Sequence, residues 1–320
     1  MKLAVLSTSR IVTEFLAHLQ DMPEVEAVSL CCRPQSRAKA EELAARYGIP
    51  EVVTDEAALF DDGGYDAVYI GTANHLHYDT TRRALLAGRS VILEKPFTAT
   101  AEQAAELFKI ADEKGVYLLE AITTPYLPAY RFMRERMADI GPVRGAMASF
   151  CKRSARYDDY LAGIWNTTFD PACNGGALND MNLYNLHYLW GLLGMPYAAS
   201  YYPSRGENGI DTAGLAVLQY DGFAAASLAA KDSGGEQGCV IQGPGGELIL
   251  HGGANAMPEA YAVIGGERID PPKQTLHRMA YEFTEFARIL REKDREAEAA
   301  ARERTLAVME LLDVLHENTV

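Results

Sequence analysis

The first 120 residues alternate short apolar runs with amphipathic segments, and this pattern restricts the fold of the 320-residue chain more than any other feature. Strand and helix alternation is typical of βαβ units, which build a parallel sheet covered by helices. The apolar runs predict strands over 3–6, 27–31, 67–70, 90–93 and 116–119. The segments between them carry apolar residues at helical spacing and predict helices over 13–20, 36–47, 78–87 and 101–114. Gly48, Gly88 and Gly115 each follow a predicted helix, where a left-handed C-cap favours glycine.

The rhythm changes after about residue 122. A helix is predicted over 129–139, a strand over 143–152, an irregular stretch over 153–174 and a helix over 177–193. Short strands separated by glycine turns then fill 198–269 and predict a large, mostly antiparallel open sheet. Two helices, over 275–293 and 296–316, complete the sequence.

The length of the chain favours two domains, because single hydrophobic cores stop growing at about 250–300 residues. We predict an α/β, doubly wound parallel-sheet domain over 1–121 and an α+β domain over 122–320, with the C-terminal helices able to pack back on the first domain. The outer face of the second sheet must be covered or wet. This predicts a homo-dimer or homo-tetramer formed through it.

Charge and composition narrow the function classes. The chain has 30 basic and 44 acidic side chains and a net charge of −14, which argues against binding nucleic acid or an anionic membrane and favours a small-molecule substrate. The apolar N-terminal run is too short for a signal peptide, so we expect a cytoplasmic protein. The five cysteines are odd in number and lack CxxC spacing, so neither a disulfide framework nor a metal site is predicted.

The turn after the first predicted strand is where a dinucleotide fold places its glycine-rich phosphate loop. Here the glycine positions hold Ser7, Ser9 and Val12. A serine side chain obstructs close approach of a phosphate to the backbone, although its hydroxyl can donate a hydrogen bond or cap the helix. Two interpretations stay open: a weakened or displaced pyrophosphate site, and a working site of altered geometry.

The end of the second predicted strand carries no carboxylate for a ribose 2′-hydroxyl. It carries Arg33, Ser36 and Arg37 instead, which suit a 2′-phosphate and favour NADP over NAD. The alternative is that both arginines are solvated residues at the start of a helix.

Glu94-Lys95-Pro96 follows the predicted strand 90–93, so Lys95 lies where open α/β sheets bind ligands. A cis bond before Pro96 would fix the direction of the lysine. Further along the chain, Asp180, Tyr184 and His187 are spaced i, i+4 and i+7, which puts them in one stripe of a helix. Spacing alone fits a solvated polar stripe equally well.

Three stretches together, 69–77, 94–96 and 175–184, resemble the Gfo/Idh/MocA (glucose-fructose oxidoreductase / inositol dehydrogenase) family, with the dihydrodiol dehydrogenase and MviM-like branch most similar. The resemblance implies a Rossmann domain, an open-sheet domain and NAD(P)-linked oxidation or reduction of a sugar, polyol or related compound. It also implies that Lys95, Asp180 and Tyr184 are catalytic, with Tyr184 as acid/base assisted by the other two.

The same resemblance and the two strand ends give the remaining candidate residues. Those for the cofactor are Ser7, Thr8, Ser9, Arg10, Ile11, Arg33, Ser36, Arg37, Gly71, Thr72, Asn74, His75, His77, Glu94 and Lys95. Those for the substrate are Lys95, Tyr126, Tyr157, Trp165, Asp180, Tyr184 and His187. Asn182 replaces a glycine that is frequent in the family, and its side chain is expected to narrow the substrate pocket.

Two other functions use the same residues. One is a redox-assisted elimination, in which the cofactor is required but shows no net change. The other is a non-catalytic binding protein that kept the fold but lost the pyrophosphate turn, with Ser7, Ser9 and Val12 as the features that favour it.

Overall fold

The computed structural model describes residues 1–320 and contains two sheets. The first is parallel, with the strand order β3-β2-β1-β4-β5-β6 that is typical of a dinucleotide-binding fold. Its strands are β1 (Lys2–Leu6), β2 (Glu26–Cys31), β3 (Glu51–Val53), β4 (Ala67–Ile70), β5 (Val91–Glu94) and β6 (Leu118–Ala121). The helices between them are α1 (Arg10–Ala17), α2 (Arg37–Tyr47), α3 (Glu56–Asp61), α4 (His77–Leu86) and α5 (Ala101–Lys114). The predicted α/β class is confirmed.

Three strands of this sheet are buried along their whole length. Every residue of β4, β5 and β6 is buried, as expected for strands covered by helices on both faces. Gly48, Gly88 and Gly115 all have positive φ after helices, as predicted. The short pair β3 and α3 escaped the sequence analysis, because three strand residues are too few to show a period.

The second sheet is mostly antiparallel, as predicted, with the order β14-β13-β12-β11-β7-β10-β9-β8 and one parallel pair, β7 with β10. Its strands are β7 (Gly145–Cys151), β8 (Ala198–Arg205), β9 (Asp211–Tyr220), β10 (Phe223–Ala230), β11 (Gly238–Gly243), β12 (Gly246–His251), β13 (Glu259–Ile264) and β14 (Glu267–Ile269). Met147 on β7 is 68% exposed, on the face through which the sequence predicts self-association. That association stays a prediction.

The helices of the second half are α6 (Pro128–Arg136), α7 (Tyr157–Leu161), α8 (Leu183–Leu193), α9 (Arg278–Glu292) and α10 (Arg295–Glu317). A π-helical turn, Leu178–Asn182, precedes α8, so the helix predicted over 177–193 does not begin as a regular α-helix. No helix of the chain is both long enough and apolar enough to cross a membrane.

Residue contacts divide the chain into two compact units. The first unit comprises Met1–Ala121 and Leu276–Leu306, and the second comprises Ile122–Thr275 and Ala307–Val320. Helix α9 and the first part of α10 therefore belong to the unit that contains the parallel sheet. Within it, the Arg302 guanidinium bonds both carboxylate oxygens of Asp112 at 2.8 and 2.6 Å.

Helix α9 carries a buried acid, Glu282, which is 1% exposed. Its Oε2 atom has no hydrogen-bond partner. Burial, and then the charge of Glu94, raises the pKa of Glu282 well above its ordinary value. Burial also raises the pKa of Glu94 to about 7, although the hydrogen bond from Tyr69 and the charge of Lys95 oppose that rise. The first unit therefore contains two carboxyl groups that resist ionisation.

We expect the Glu282→Gln substitution to flatten the pH dependence of stability. The folded chain keeps a proton on Glu282 that the unfolded chain releases above a pKa of about 4.3. The stabilisation is therefore complete below that pH and is lost as the pH rises through the folded-state pKa. Thermal unfolding followed by circular dichroism from about pH 5 to about pH 8 should show Tm falling less steeply in Glu282→Gln than in the unaltered chain. The exposed Glu296→Gln is the control, and equal slopes for all three proteins would contradict the prediction.

Candidate active site

The first turn compensates for its missing glycines through side-chain hydrogen bonds. Ser7 has a φ of 123°, in the region that favours glycine, and its backbone N–H donates to the Cys31 carbonyl at 2.9 Å. Its hydroxyl accepts the Ser9 N–H at 3.0 Å. The position therefore keeps a glycine-like backbone, while its side chain occupies one N–H group that a phosphate loop would otherwise offer.

Ser9 joins the start of α1 to the end of β4. Its hydroxyl donates to the Gly71 carbonyl at 2.7 Å and accepts from the Val12 N–H at 3.5 Å, as the N-cap of the helix. The neighbouring Thr8 carbonyl accepts from Lys39 Nζ at 2.6 Å. Serine at this position therefore fixes the helix N-terminus next to the strand end.

Val12 and Gly71 form the contact between α1 and the end of β4. In a dinucleotide turn the helix contributes the small residue to this contact, whereas here the strand end contributes it. The third glycine of such a turn permits close packing of helix on strand, and here Val12 takes its place. The space comes from the facing residue, because a Cβ atom on Gly71 would lie 2.6 Å from Val12 Cγ2. The glycine needed for close packing is thus supplied by β4's end instead of α1.

We expect Gly71→Ala to destabilise the chain by about 1–3 kcal/mol, since the added methyl overpacks this contact. Val12→Ala in the same chain removes Cγ2 and should restore part of the loss. Urea unfolding of the two single variants and the double variant measures the coupling. Purely additive effects would show that Val12 is not what excludes a side chain at residue 71.

Further cofactor candidates of the first unit lie at the ends of β2 and β4. Arg33 and Arg37 are exposed, and Arg37 Nε bonds Glu41 at 2.8 Å. Ser36 is half-buried at the start of α2. The Thr72 hydroxyl is buried without a hydrogen-bond partner.

These observations fit a dinucleotide. The first turn of α1 contains no acidic residue that would repel a phosphate. The two arginines at the end of β2 suit a 2′-phosphate. The buried Thr72 hydroxyl has no hydrogen-bond partner within the protein and can bond a ligand. Of the remaining candidates, Arg10 and His75 are exposed, and Ile11 and Asn74 are half-buried. The fit has one donor fewer than a glycine turn, because Ser7 occupies the Ser9 N–H.

Lys95 follows β5 and is half-buried. Its backbone N–H donates to Glu94 Oε2 at 3.2 Å, and Glu94 Oε1 accepts from the Tyr69 hydroxyl at 2.6 Å. The Lys95–Pro96 peptide bond is cis, the isomer that the sequence analysis left open. The predicted lysine is therefore presented from a strand end whose preceding carboxyl is buried.

His77 supports this segment from inside. It is fully buried, and burial lowers its pKa to about 4, so the imidazole is neutral at pH 7 and donates one hydrogen bond. Nδ1 lies 2.8 Å from the Pro96 carbonyl and Nε2 lies 3.2 Å from the Thr72 carbonyl, and the neutral imidazole donates to one of the two. The sequence predicted a cofactor contact for His77. Its burial instead gives its side chain a role in holding the loop.

In the second unit, Asp180 lies in the π-helical turn and forms an ion pair that the sequence analysis missed. Lys231 Nζ lies 2.7 Å from Asp180 Oδ2, and the side chains are 2% and 31% exposed, respectively. Lys231 directly follows β10. Like Lys95, Lys231 is a lysine at the end of an apolar strand, but the run 224–230 is mostly alanine and no spacing indicated a partner for the lysine.

The remainder of the predicted stripe is buried. Tyr184 packs edge-on against Phe150 with ring centroids 5.8 Å apart. His187 is 1% exposed, and the substrate contact predicted for it stays a prediction. Asn182 is fully buried and bonds the Ser227 carbonyl on β10 at 3.2 Å. The expectation that its side chain narrows the pocket is therefore wrong, because β10 engages it.

The tyrosine-containing stretch forms an aromatic cluster. The Tyr157 ring lies 5.5 Å from that of Phe169, and Arg153 lies 4.8 Å above Tyr157. Trp165 is 69% exposed and its Nε1 donates to Asp170 at 2.6 Å. Tyr126, the remaining substrate candidate, is buried in a 3₁₀ turn. Of these substrate candidates, Trp165 is the most accessible.

Comparison with known proteins gives consistent matches. A family model described as an oxidoreductase family with an NAD-binding Rossmann fold matches residues 1–121. D-xylose 1-dehydrogenase (NADP(+)) 2 of Haloferax volcanii is 30% identical over 331 residues, covering 99% of this chain and 97% of that protein. scyllo-Inositol 2-dehydrogenase (NADP(+)) IolU of Bacillus subtilis is 28% identical over 319 residues, covering 98% and 95%.

The human trans-1,2-dihydrobenzene-1,2-diol dehydrogenase is 30% identical over 228 residues, covering 69% of this chain and 65% of that protein. Among solved structures, KijD10, a 3-ketoreductase from Actinomadura kijaniata in complex with NADP and TDP-benzene, has a TM-score of 0.85. It is 22% identical and covers 100% of this chain and 98% of that chain. At this identity the likeness shows a shared fold.

Proposed function

The chain belongs to the Gfo/Idh/MocA family of oxidoreductases, and from that premise we propose that it transfers hydride between NADP and a sugar or polyol. The observation that carries the proposal is the half-buried Lys95 at the end of β5, on the edge of the sheet where the first turn and the two arginines also lie. The sugar and polyol named for two relatives, D-xylose and scyllo-inositol, support the substrate class.

The proposed chemistry assigns one role to each residue. The nicotinamide, when bound, supplies or accepts the hydride. In the oxidation direction Tyr184 acts as the phenolate and takes the proton of the reacting hydroxyl, and in the reverse direction the neutral phenol returns that proton to the substrate oxygen. Lys95 donates a hydrogen bond to the reacting oxygen and stabilises negative charge on it. Asp180 accepts a hydrogen bond from a substrate hydroxyl and so orients the sugar.

NADP is preferred in this proposal because β2 ends without a carboxylate and with Arg33 and Arg37. Arg37 can exchange its exposed ion pair with Glu41 for a phosphate at little cost, since such surface pairs contribute about 0–1 kcal/mol.

We expect calorimetric titration to show NADPH binding about 10-fold or more tighter than NADH, because charge-assisted hydrogen bonds contribute about 1.5–3 kcal/mol. The Arg33→Ala/Arg37→Ala variant should lose that preference with little change in NADH affinity. Arg46→Ala, on the same helix α2 and paired with Glu42, is the matched control. If none of NAD, NADH, NADP and NADPH binds at millimolar concentration, the result favours the non-catalytic binding protein. The observation that supports this alternative is the hydrogen bond from the Ser9 N–H to the Ser7 hydroxyl, which removes one phosphate donor.

We expect Lys95→Met and Tyr184→Phe each to lower kcat by about 10²-fold or more, the usual contribution of a positioned acid or base. The measurement is NADP-dependent absorbance change with D-xylose and scyllo-inositol as probe substrates. Tyr202→Phe, at a half-exposed position of β8, is the control and should keep full activity. Circular dichroism confirms folding of each variant, and full activity in Tyr184→Phe would remove that residue from the mechanism.

A further inference from the structure

Lys231 is a buried cation whose surroundings are all suited to a positive charge. Its ammonium group has three N–H donors. Three oxygens face it: Asp180 Oδ2 at 2.7 Å, the Thr168 carbonyl at 3.2 Å and the Gly176 carbonyl at 3.5 Å. The Phe169 ring lies 5.1 Å away and adds a cation–π contact. A lysine that is 2% exposed needs such compensation, because a buried unpaired charge is strongly destabilising.

The backbone of Lys231 is fixed as firmly as its side chain. Its N–H donates to the Thr212 carbonyl at 2.7 Å, and its carbonyl accepts the Ser154 N–H at 2.7 Å. The backbone of Lys231 is therefore bonded on one side to Thr212 of β9 and on the other to Ser154, which follows β7. The π-helical turn that carries Asp180 is the segment that this anchor reaches.

Lys231 and Asp180 differ in solvent exposure, and this difference indicates which of the two a substrate can contact. Lys231 is closed to solvent, whereas Asp180 keeps 31% of its side chain accessible. A small molecule can reach the carboxylate but not the ammonium group. Lys231 therefore acts through Asp180 and does not itself contact substrate.

On these grounds we propose that Lys231 is a positioning residue of the hydride-transfer reaction, which holds the Asp180 carboxylate in its orientation and compensates its charge from the interior. The inference rests on the proposed function and adds to it a residue outside Lys95, Asp180 and Tyr184. An aspartate whose carboxylate bonds a fixed cation keeps one rotamer. A carboxylate that orients a sugar hydroxyl must be held in this way.

The test is a double-mutant cycle on turnover with Lys231→Met, Asp180→Asn and the combined variant. Methionine keeps the length of the side chain and removes its charge. Lys231→Met should lower kcat by about 10- to 100-fold, as expected when one partner of a buried charge pair is truncated, while the KM for NADP stays within about twofold. In the Asp180→Asn background the same substitution should change kcat by less than about threefold, because its effect passes through the missing carboxylate.

Two further variants separate positioning from folding. Lys231→Arg keeps the charge and should recover part of the activity lost in Lys231→Met, although the guanidinium differs in shape from the ammonium group. Lys152→Met, an exposed lysine in the same unit, is the matched control and should behave as the unaltered chain. If Lys231→Met does not fold, Lys231→Gln replaces it in the cycle.

The outcomes are distinct. Turnover by the unaltered chain comes first, and its absence rejects the proposed function together with this inference. Turnover with an unchanged kcat in folded Lys231→Met rejects the inference alone. An equal loss of kcat in the wild-type and Asp180→Asn backgrounds also rejects it, because Lys231 would then act independently of Asp180.

Discussion

The parallel register of the first sheet is the constraint on which the candidate cofactor site of the first unit depends. Parallel strands all end at one edge, so the ends of β1, β2, β4 and β5 present the first turn, the arginines, Thr72 and Lys95 from a single border. That register requires strands that are buried on both faces, and the fully buried β4 and β5 meet this requirement. The apolar strand sequences therefore determine that these polar residues lie together at one edge of the sheet.

The altered first turn shows how such an edge tolerates a changed motif. A dinucleotide turn needs a glycine-like backbone, close approach of helix to strand, and N–H groups directed at phosphate. Ser7 adopts the first, the pair Val12 and Gly71 retains the second, and only the third is reduced, because the Ser7 hydroxyl binds the Ser9 N–H. The loss is specific to one donor and leaves the packing of α1 intact.

The sequence predicted what depends on periodicity and on local motifs. The alternating runs indicated the parallel sheet, glycine turns indicated the antiparallel one, and the Lys95–Pro96 pair suggested its cis bond. It could not predict burial that arises from tertiary packing. His77 is polar and lies in a motif, but its contact with the Pro96 carbonyl comes from a segment 19 residues away. The spacing of Asp180 and Tyr184 did not reveal the π-helical turn either, because a period of 3.6 residues assumes a regular α-helix.

Lys95 and Lys231 show how position in a strand separates two roles for the same side chain. Each directly follows a strand, β5 or β10. Lys95 is half-buried, and burial raises the pKa of the carboxyl group next to it, Glu94, to about 7. Lys231 is closed off and bonded to an accessible carboxylate. Lys95 is partly accessible to a ligand, whereas the charge of Lys231 is directed at Asp180 inside the protein.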